Sequence, residues 1–212
     1  MVFQLHSDFM KIQTLFVLVI ILPISGCLGW DESPEINPVD ENNVSRIVFS
    51  SPTLDRSEDL GSSLSLEDEL SESHVLLLWV SPQCGGCHNW TSNILDEGHY
   101  ESWNDSGDLQ ILSIHRYIEF EDPESVMQVY GNQSSDQYTP WPVLVPTQNS
   151  QAVDLETGTK ISGTIADAYD NPRTPSLLLI NQQAEIVWKA ESYYYDEVEI
   201  QEINEILEGL GD

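Results

Sequence analysis

Cysteine is scarce in this chain: three among 212 residues, at positions 27, 84 and 87. That excludes a small scaffold stapled by several bridges between distant residues, where a disulfide constrains the unfolded chain most. Positive charge is scarce too. Seven Lys and Arg stand against 36 Asp and Glu, a formal net charge of −29. Such a surface repels nucleic acid and anionic headgroups, and no basic patch interrupts it. Long apolar runs are missing as well. Leu15-Phe-Val-Leu-Val-Ile-Ile-Leu22 is too short to make a good transmembrane span. No internal repeat is present.

That short run follows Lys11 and ends at Pro23-Ile-Ser-Gly-Cys27, the layout of a secretory signal. Ile24-Ser-Gly-Cys27 resembles the lipobox of lipoproteins, in which the cysteine is lipidated and becomes the new N-terminus. Met10-Lys11 opens a more typical signal than Met1 does. Residues 28–45 are acidic, polar and broken by Pro34 and Pro38, a composition that makes a flexible tether. The expected organisation is a signal over 1–26, a lipidated tether over 27–45 and a folded domain over 46–212. The domain then lies outside the cytoplasm, held to a membrane through Cys27.

With Cys27 spent on lipid, Cys84 and Cys87 are the only pair in the exported domain. They close the apolar run His74–Val80 and open a helix-like segment over 85–97, where Cys87, Trp90 and Ile94 share a stripe. Cys84 falls at the helix N-terminus, where unpaired N–H groups and the helix dipole stabilise a thiolate. Cys87 lies one turn on. A bridge closing so short a loop contributes little stability, so the pair is there for dithiol redox chemistry.

Other segments order themselves around this one. Arg46–Ser50 reads as a strand, Ser65–Leu70 as a capped helical turn, Leu109–Tyr117 as an alternating strand and Pro123–Tyr130 as a short helix. Val143–Val145 is a brief apolar run and Ile165–Tyr169 a helical turn. Ser176–Ile180 and Glu185–Trp188 flank a turn at Asn181–Ala184, and an amphipathic helix carries Val198, Ile200, Ile203, Ile206, Leu207 and Leu210. Strands alternating with helices, then a hairpin and a last helix, describe an α/β fold with a mixed central sheet.

Four pieces in order resemble the thioredoxin superfamily, and within it the redoxin-type, membrane-tethered thiol–disulfide oxidoreductases. They are Leu64–Leu70, Val75–Cys87, Ile165–Pro175 and Ser176–Trp188, and the likeness spans about residues 46–210. The resemblance implies a thioredoxin-like fold with Cys84 as nucleophile and Cys87 as resolving thiol. Thr174 and a cis Pro175 form the loop that faces them and binds substrate. No cofactor beyond the Cys84–Cys87 disulfide and no metal is implied. The partners are exported protein thiols or disulfides and an extracytoplasmic redox partner.

The departures are Leu78, where thioredoxin carries a buried carboxylate, and Gly86, where a proline is usual. His88 is the one titratable group beside the pair and a candidate modulator of thiol pKa. Two rival readings are a copper-binding module using Cys84, Cys87 and a histidine such as His115, and a peroxidase with Ser81 in place of the threonine that peroxiredoxins carry. Asn43, Asn89, Asn104 and Asn132 begin glycosylation sequons. Trp141, set between two prolines, reads as a structural plug, and Tyr193–Tyr195 as the join between the last strand and the last helix.

Overall fold

The computed structural model describes residues 46–210. The signal segment, Cys27, the tether and the Asn43 sequon lie outside them. Strand β3 (His74–Val80) is buried at every residue but its first. An apolar run without alternation suits a strand covered on both faces. Leu76, Leu78 and Val80 pack with Cys87, Trp90 and Ile94 of helix α2 (Gly85–Asp96) and with Ile200 and Ile203 of helix α6 (Glu197–Leu210). Val75, Leu77 and Trp79 face the opposite layer, with Leu66 and Leu70 of helix α1 (Leu66–Glu72) and Ile165 of helix α5 (Ile165–Ala168).

On one side of β3, strands β4 (Leu109–His115) and β5 (Val143–Leu144) run parallel to it. On the other, β8 (Ser176–Ile180) runs antiparallel to β3 and β9 (Ile186–Lys189) antiparallel to β8, giving a mixed sheet of order β5-β4-β3-β8-β9. Parallel pairs require crossovers, and α2 supplies the one from β3 to β4. A second, antiparallel sheet joins β2 (Ser63–Ser65), β1 (Ile47–Pro52), β6 (Ala152–Asp154) and β7 (Thr159–Lys160). This is the α/β class expected from the sequence.

Local signals account for the boundaries that matter. The Ser65 hydroxyl oxygen caps α1 by accepting the Asp68 N–H at 3.4 Å. Asn181 closes the β8–β9 turn, its side-chain oxygen accepting from the Gln183 and Glu185 amides. Other elements depart from expectation. A helix α3 (His99–Ser106) follows α2, although its sequence is mostly polar; Trp103 is buried with Tyr100 packed beside it on the core, and the Trp103 indole N–H donates to Asn204 at 2.8 Å. The segment 123–130 stays α-helical only as α4 (Pro123–Val126) and then widens into a π-turn over Met127–Gly131. Strands β6 and β7 are too short to show a period.

Trp141 is the plug its neighbours suggest: fully buried, its indole N–H donating to the Ser113 hydroxyl at 2.9 Å. Nearby, Arg56 and Asp59 form a buried ion pair at 2.7 Å. The guanidinium also donates to the carbonyls of Tyr130, Thr139 and Trp141, and Asp59 accepts the Val143 amide at 3.0 Å. Every polar group of the pair is thereby occupied, which is the condition for keeping such charges inside a core.

Candidate active site

The end of β3 turns through Ser81-Pro82-Gln83 into α2, with the Cys84 amide donating to the Ser81 carbonyl at 3.1 Å. Cys84 is the N-cap of α2, and its sulfur accepts the Cys87 backbone N–H at 3.1 Å. The two cysteines are joined in a disulfide, their Cα atoms 5.2 Å apart. Their exposures differ in a way that decides the chemistry. Cys84 keeps 7 % of its surface, whereas Cys87 keeps none. Of the two, only Cys84 keeps any surface through which a partner can approach. The Cys87 sulfur lies inside, 3.7 Å from the Trp79 carbonyl oxygen, which can accept a hydrogen bond from its S–H in the dithiol form.

The loop before β8 closes the other side. The Thr174–Pro175 peptide bond is cis. Among the described residues, neither the Thr174 N–H nor its carbonyl has a hydrogen-bond partner, so this stretch of backbone is open to an extended chain. Arg116, just past β4, braces the loop by donating to the Pro172 carbonyl at 2.8 Å and to Asn171 at 3.1 Å.

Gly86 is the point of contact between this loop and the helix. A Cβ there would lie 2.8 Å from Pro175 Cδ and 2.9 Å from Tyr193 Cε1, and inside 3.0 Å of the Tyr193 carbonyl oxygen. Gly85, by contrast, faces open space. The glycine at 86 thus reflects close backbone approach as well as the loss of a proline's fixed φ.

Tyr193 itself belongs to a connection that sequence reading placed only loosely. The 190–196 segment is fixed by Glu199, whose carboxylate accepts the Glu191 and Ser192 amides at 3.1 and 2.8 Å. Asn89 fixes it from α2 by accepting the Tyr195 amide at 2.8 Å. The Asn89 sequon therefore sits on a side chain already used in packing the site. Tyr193 and Tyr194 stand exposed, their rings edge to face at 4.8 Å.

Beneath the turn lies a buried polar cluster that the sequence did not reveal. Ser81 donates its hydroxyl to Glu121 at 2.6 Å, and His115 Nε2 donates to the other Glu121 oxygen at 2.9 Å. The Tyr130 hydroxyl donates to the Ser81 carbonyl at 3.0 Å. Burial pulls the His115 pKa down, and hydrogen bonding and charge from Glu121 oppose that only in part. Burial also pushes the Tyr130 hydroxyl well above its ordinary value. The signal available in sequence was a histidine ending an apolar strand, which does not name its partner six residues later.

His88 has a defined station. Its Nε2 lies 3.0 Å from the Pro82 carbonyl, to which it can only donate, and its ring meets Tyr130 edge-on at 6.0 Å. It clasps the turn that carries Cys84. His115 holds Glu121 through Nε2, and Ser81 is tied to the same carboxylate. Among the described residues no group of three or more His, Cys, Asp or Glu could hold a metal ion. No helix among them is long and apolar enough to cross a membrane.

No family model matches the chain, and neither does any curated protein sequence. Solved structures do. The thioredoxin domain of a thiol-disulfide oxidoreductase from Bacteroides vulgatus superposes with a TM-score of 0.52 at 16% identity, covering 78% of this chain and 96% of its own. The fold is thioredoxin-like. A thiol:disulfide interchange protein DsbE from Chlorobium tepidum gives 0.53 at 13% identity, over 77% of this chain and 93% of that one. A protein disulfide isomerase from Bacteroides thetaiotaomicron gives 0.52 at 20%, over 78% and 91%. In this thioredoxin-like domain Cys84 and Cys87 occupy the strand-to-helix turn, with Pro175 packed on Gly86, the second of the two residues between them.

Proposed function

We propose that the protein is a thiol–disulfide oxidoreductase that exchanges disulfides with exported proteins through Cys84 and Cys87. The observation that carries this reading is the graded exposure of a bonded pair at a helix N-terminus, opposite unpartnered backbone at Thr174. In the reducing direction, Cys84 thiolate attacks one sulfur of a substrate disulfide, forming a mixed disulfide and releasing one substrate thiolate. Cys87 then attacks the Cys84 sulfur. The Cys84–Cys87 bond forms, the second substrate thiolate leaves, and the two protons brought by the dithiol end on the two substrate thiols. Two electrons pass from protein to substrate, and the reverse sequence donates the disulfide.

Thr174 and Pro175 hold the substrate backbone extended against Cys84, and His88 modulates the thiol through the turn it clasps. Lipidation at Cys27 places the domain outside the membrane, and the acidic tether over 27–45 sets its reach. The thiol–disulfide activities named for the structural neighbours support the same reading. A trapping experiment in native membranes tests it. Cys87→Ser should accumulate mixed disulfides through Cys84 that dithiothreitol releases, and Cys84→Ser should accumulate none. An empty Cys87→Ser trap would refute protein disulfide exchange.

A further inference from the structure

Cations are so few in this chain that their positions carry information. Six of the seven Lys and Arg fall within the described residues. Arg46 pairs with Glu185 at 3.2 Å, Arg56 is buried against Asp59, and Arg116 is occupied in bracing the 170–174 loop. That leaves Lys160, Arg173 and Lys189, all exposed and without an ion-pair partner among the described residues. Arg173 and Lys189 line one open groove of about 630 Å³ together with Thr174, Pro175 and Tyr193. Asp170 and Glu191 line it too, so the groove is balanced in charge on a domain that is otherwise strongly acidic. Arg173 is also covalently next to Thr174, whose N–H and carbonyl have no partner among the described residues.

We propose that this groove seats an acidic, extended segment flanking the substrate cysteine, and that Arg173 and Lys189 select it. The inference rests on the disulfide-exchange reading and adds a substrate class to it. A chain lying along the Thr174 backbone enters the groove that both cations line, where a carboxylate side chain gains hydrogen bonds to a guanidinium or an ammonium. Elsewhere on the surface the same carboxylate meets like charge. The overall charge of the domain alone favours the opposite choice, a basic partner, so the two expectations separate cleanly.

The test uses two disulfide-bridged peptides differing only in whether Asp or Lys flanks the reactive cysteine, reduced in single turnover by the full-length dithiol protein. At low ionic strength the Asp peptide should react about tenfold faster than the Lys peptide, and added salt should shrink the difference. The double reversal Arg173→Glu, Lys189→Glu should invert the order, whereas Lys160→Glu should leave it unchanged. A faster Lys peptide, equal rates, or an order untouched by the double reversal overturns the inference and leaves disulfide exchange standing. Reduction of neither peptide overturns exchange and the inference together.

Discussion

Exchanging Gly86 for alanine adds one methyl group at the most confined point of the site. Ordinary carbon contacts begin at about 3.4 Å, yet this methyl would meet Pro175 Cδ at 2.8 Å and Tyr193 Cε1 at 2.9 Å, with the Tyr193 carbonyl oxygen closer still. Relief requires a shift approaching an ångström, and the neighbours resist it. Pro175 leads directly into the buried strand β8, and the Tyr193 segment is pinned by Glu199 and Asn89.

Gly85→Ala supplies the control, because both positions lie in the first turn of α2 and gain the same relief from glycine's backbone entropy, about 0.5–1 kcal/mol in a helix interior. The stability difference between the two variants therefore isolates the overpacking cost, about 1–3 kcal/mol. Urea unfolding of the oxidised proteins measures it as a lower midpoint for Gly86→Ala at unchanged slope. A displacement of Pro175 near Cys84 should also slow disulfide exchange by tenfold or more, since such misplacement reaches roughly a hundredfold in other sites. Equal midpoints and equal exchange rates for the two variants would refute the close-approach account.

Removing one member of the buried Arg56–Asp59 pair, as in Asp59→Leu, should cost about 3–5 kcal/mol by leaving a guanidinium unpaired in the core. In thermal or urea unfolding, the double variant Arg56→Met, Asp59→Leu should lose less than the sum of the two single variants. Burial depresses the pKa of His115 and of His74 below the ordinary 6.5, so the folded state holds them neutral while the unfolded chain protonates. Their contribution is fully present above pH 6.5 and is lost as pH falls toward their depressed values. Unfolding free energies at pH 7.5 and 5 should show this decline, and His115→Gln should flatten it; an equal decline in the variant would exclude His115 as a source. His88→Gln should alter the pH dependence of Cys84 alkylation in the reduced protein, and an unchanged profile would leave His88 only its bond to Pro82.

Much of the fold could be read before any coordinates. The run His74–Val80 reads as a strand buried on both faces, and Ser65, Asn181 and the stripe of α6 mark their elements by chemistry acting within a few residues. The dithiol was equally legible, because Cys84-Gly-Gly-Cys87 after such a strand has a local meaning. Helix α3 and the β6–β7 ladder were not legible. Their residues carry no period of their own, and they form because Trp103 finds Asn204 and because β1 offers β6 an open edge.

The site divides along the same line. Spacing along the chain specifies which sulfur caps the helix and which follows one turn later, since both properties lie within four residues. The exposure of Cys84 over Cys87, the approach of Tyr193 to Gly86, the binding of Glu121 by His115 and Ser81, and the meeting of Arg173 with Lys189 in one groove join positions up to 107 residues apart. Such pairings arise from how β3, β4, β8 and the 190–196 segment converge at one end of the sheet. No local pattern encodes that convergence, because the energies that choose it belong to packing between elements.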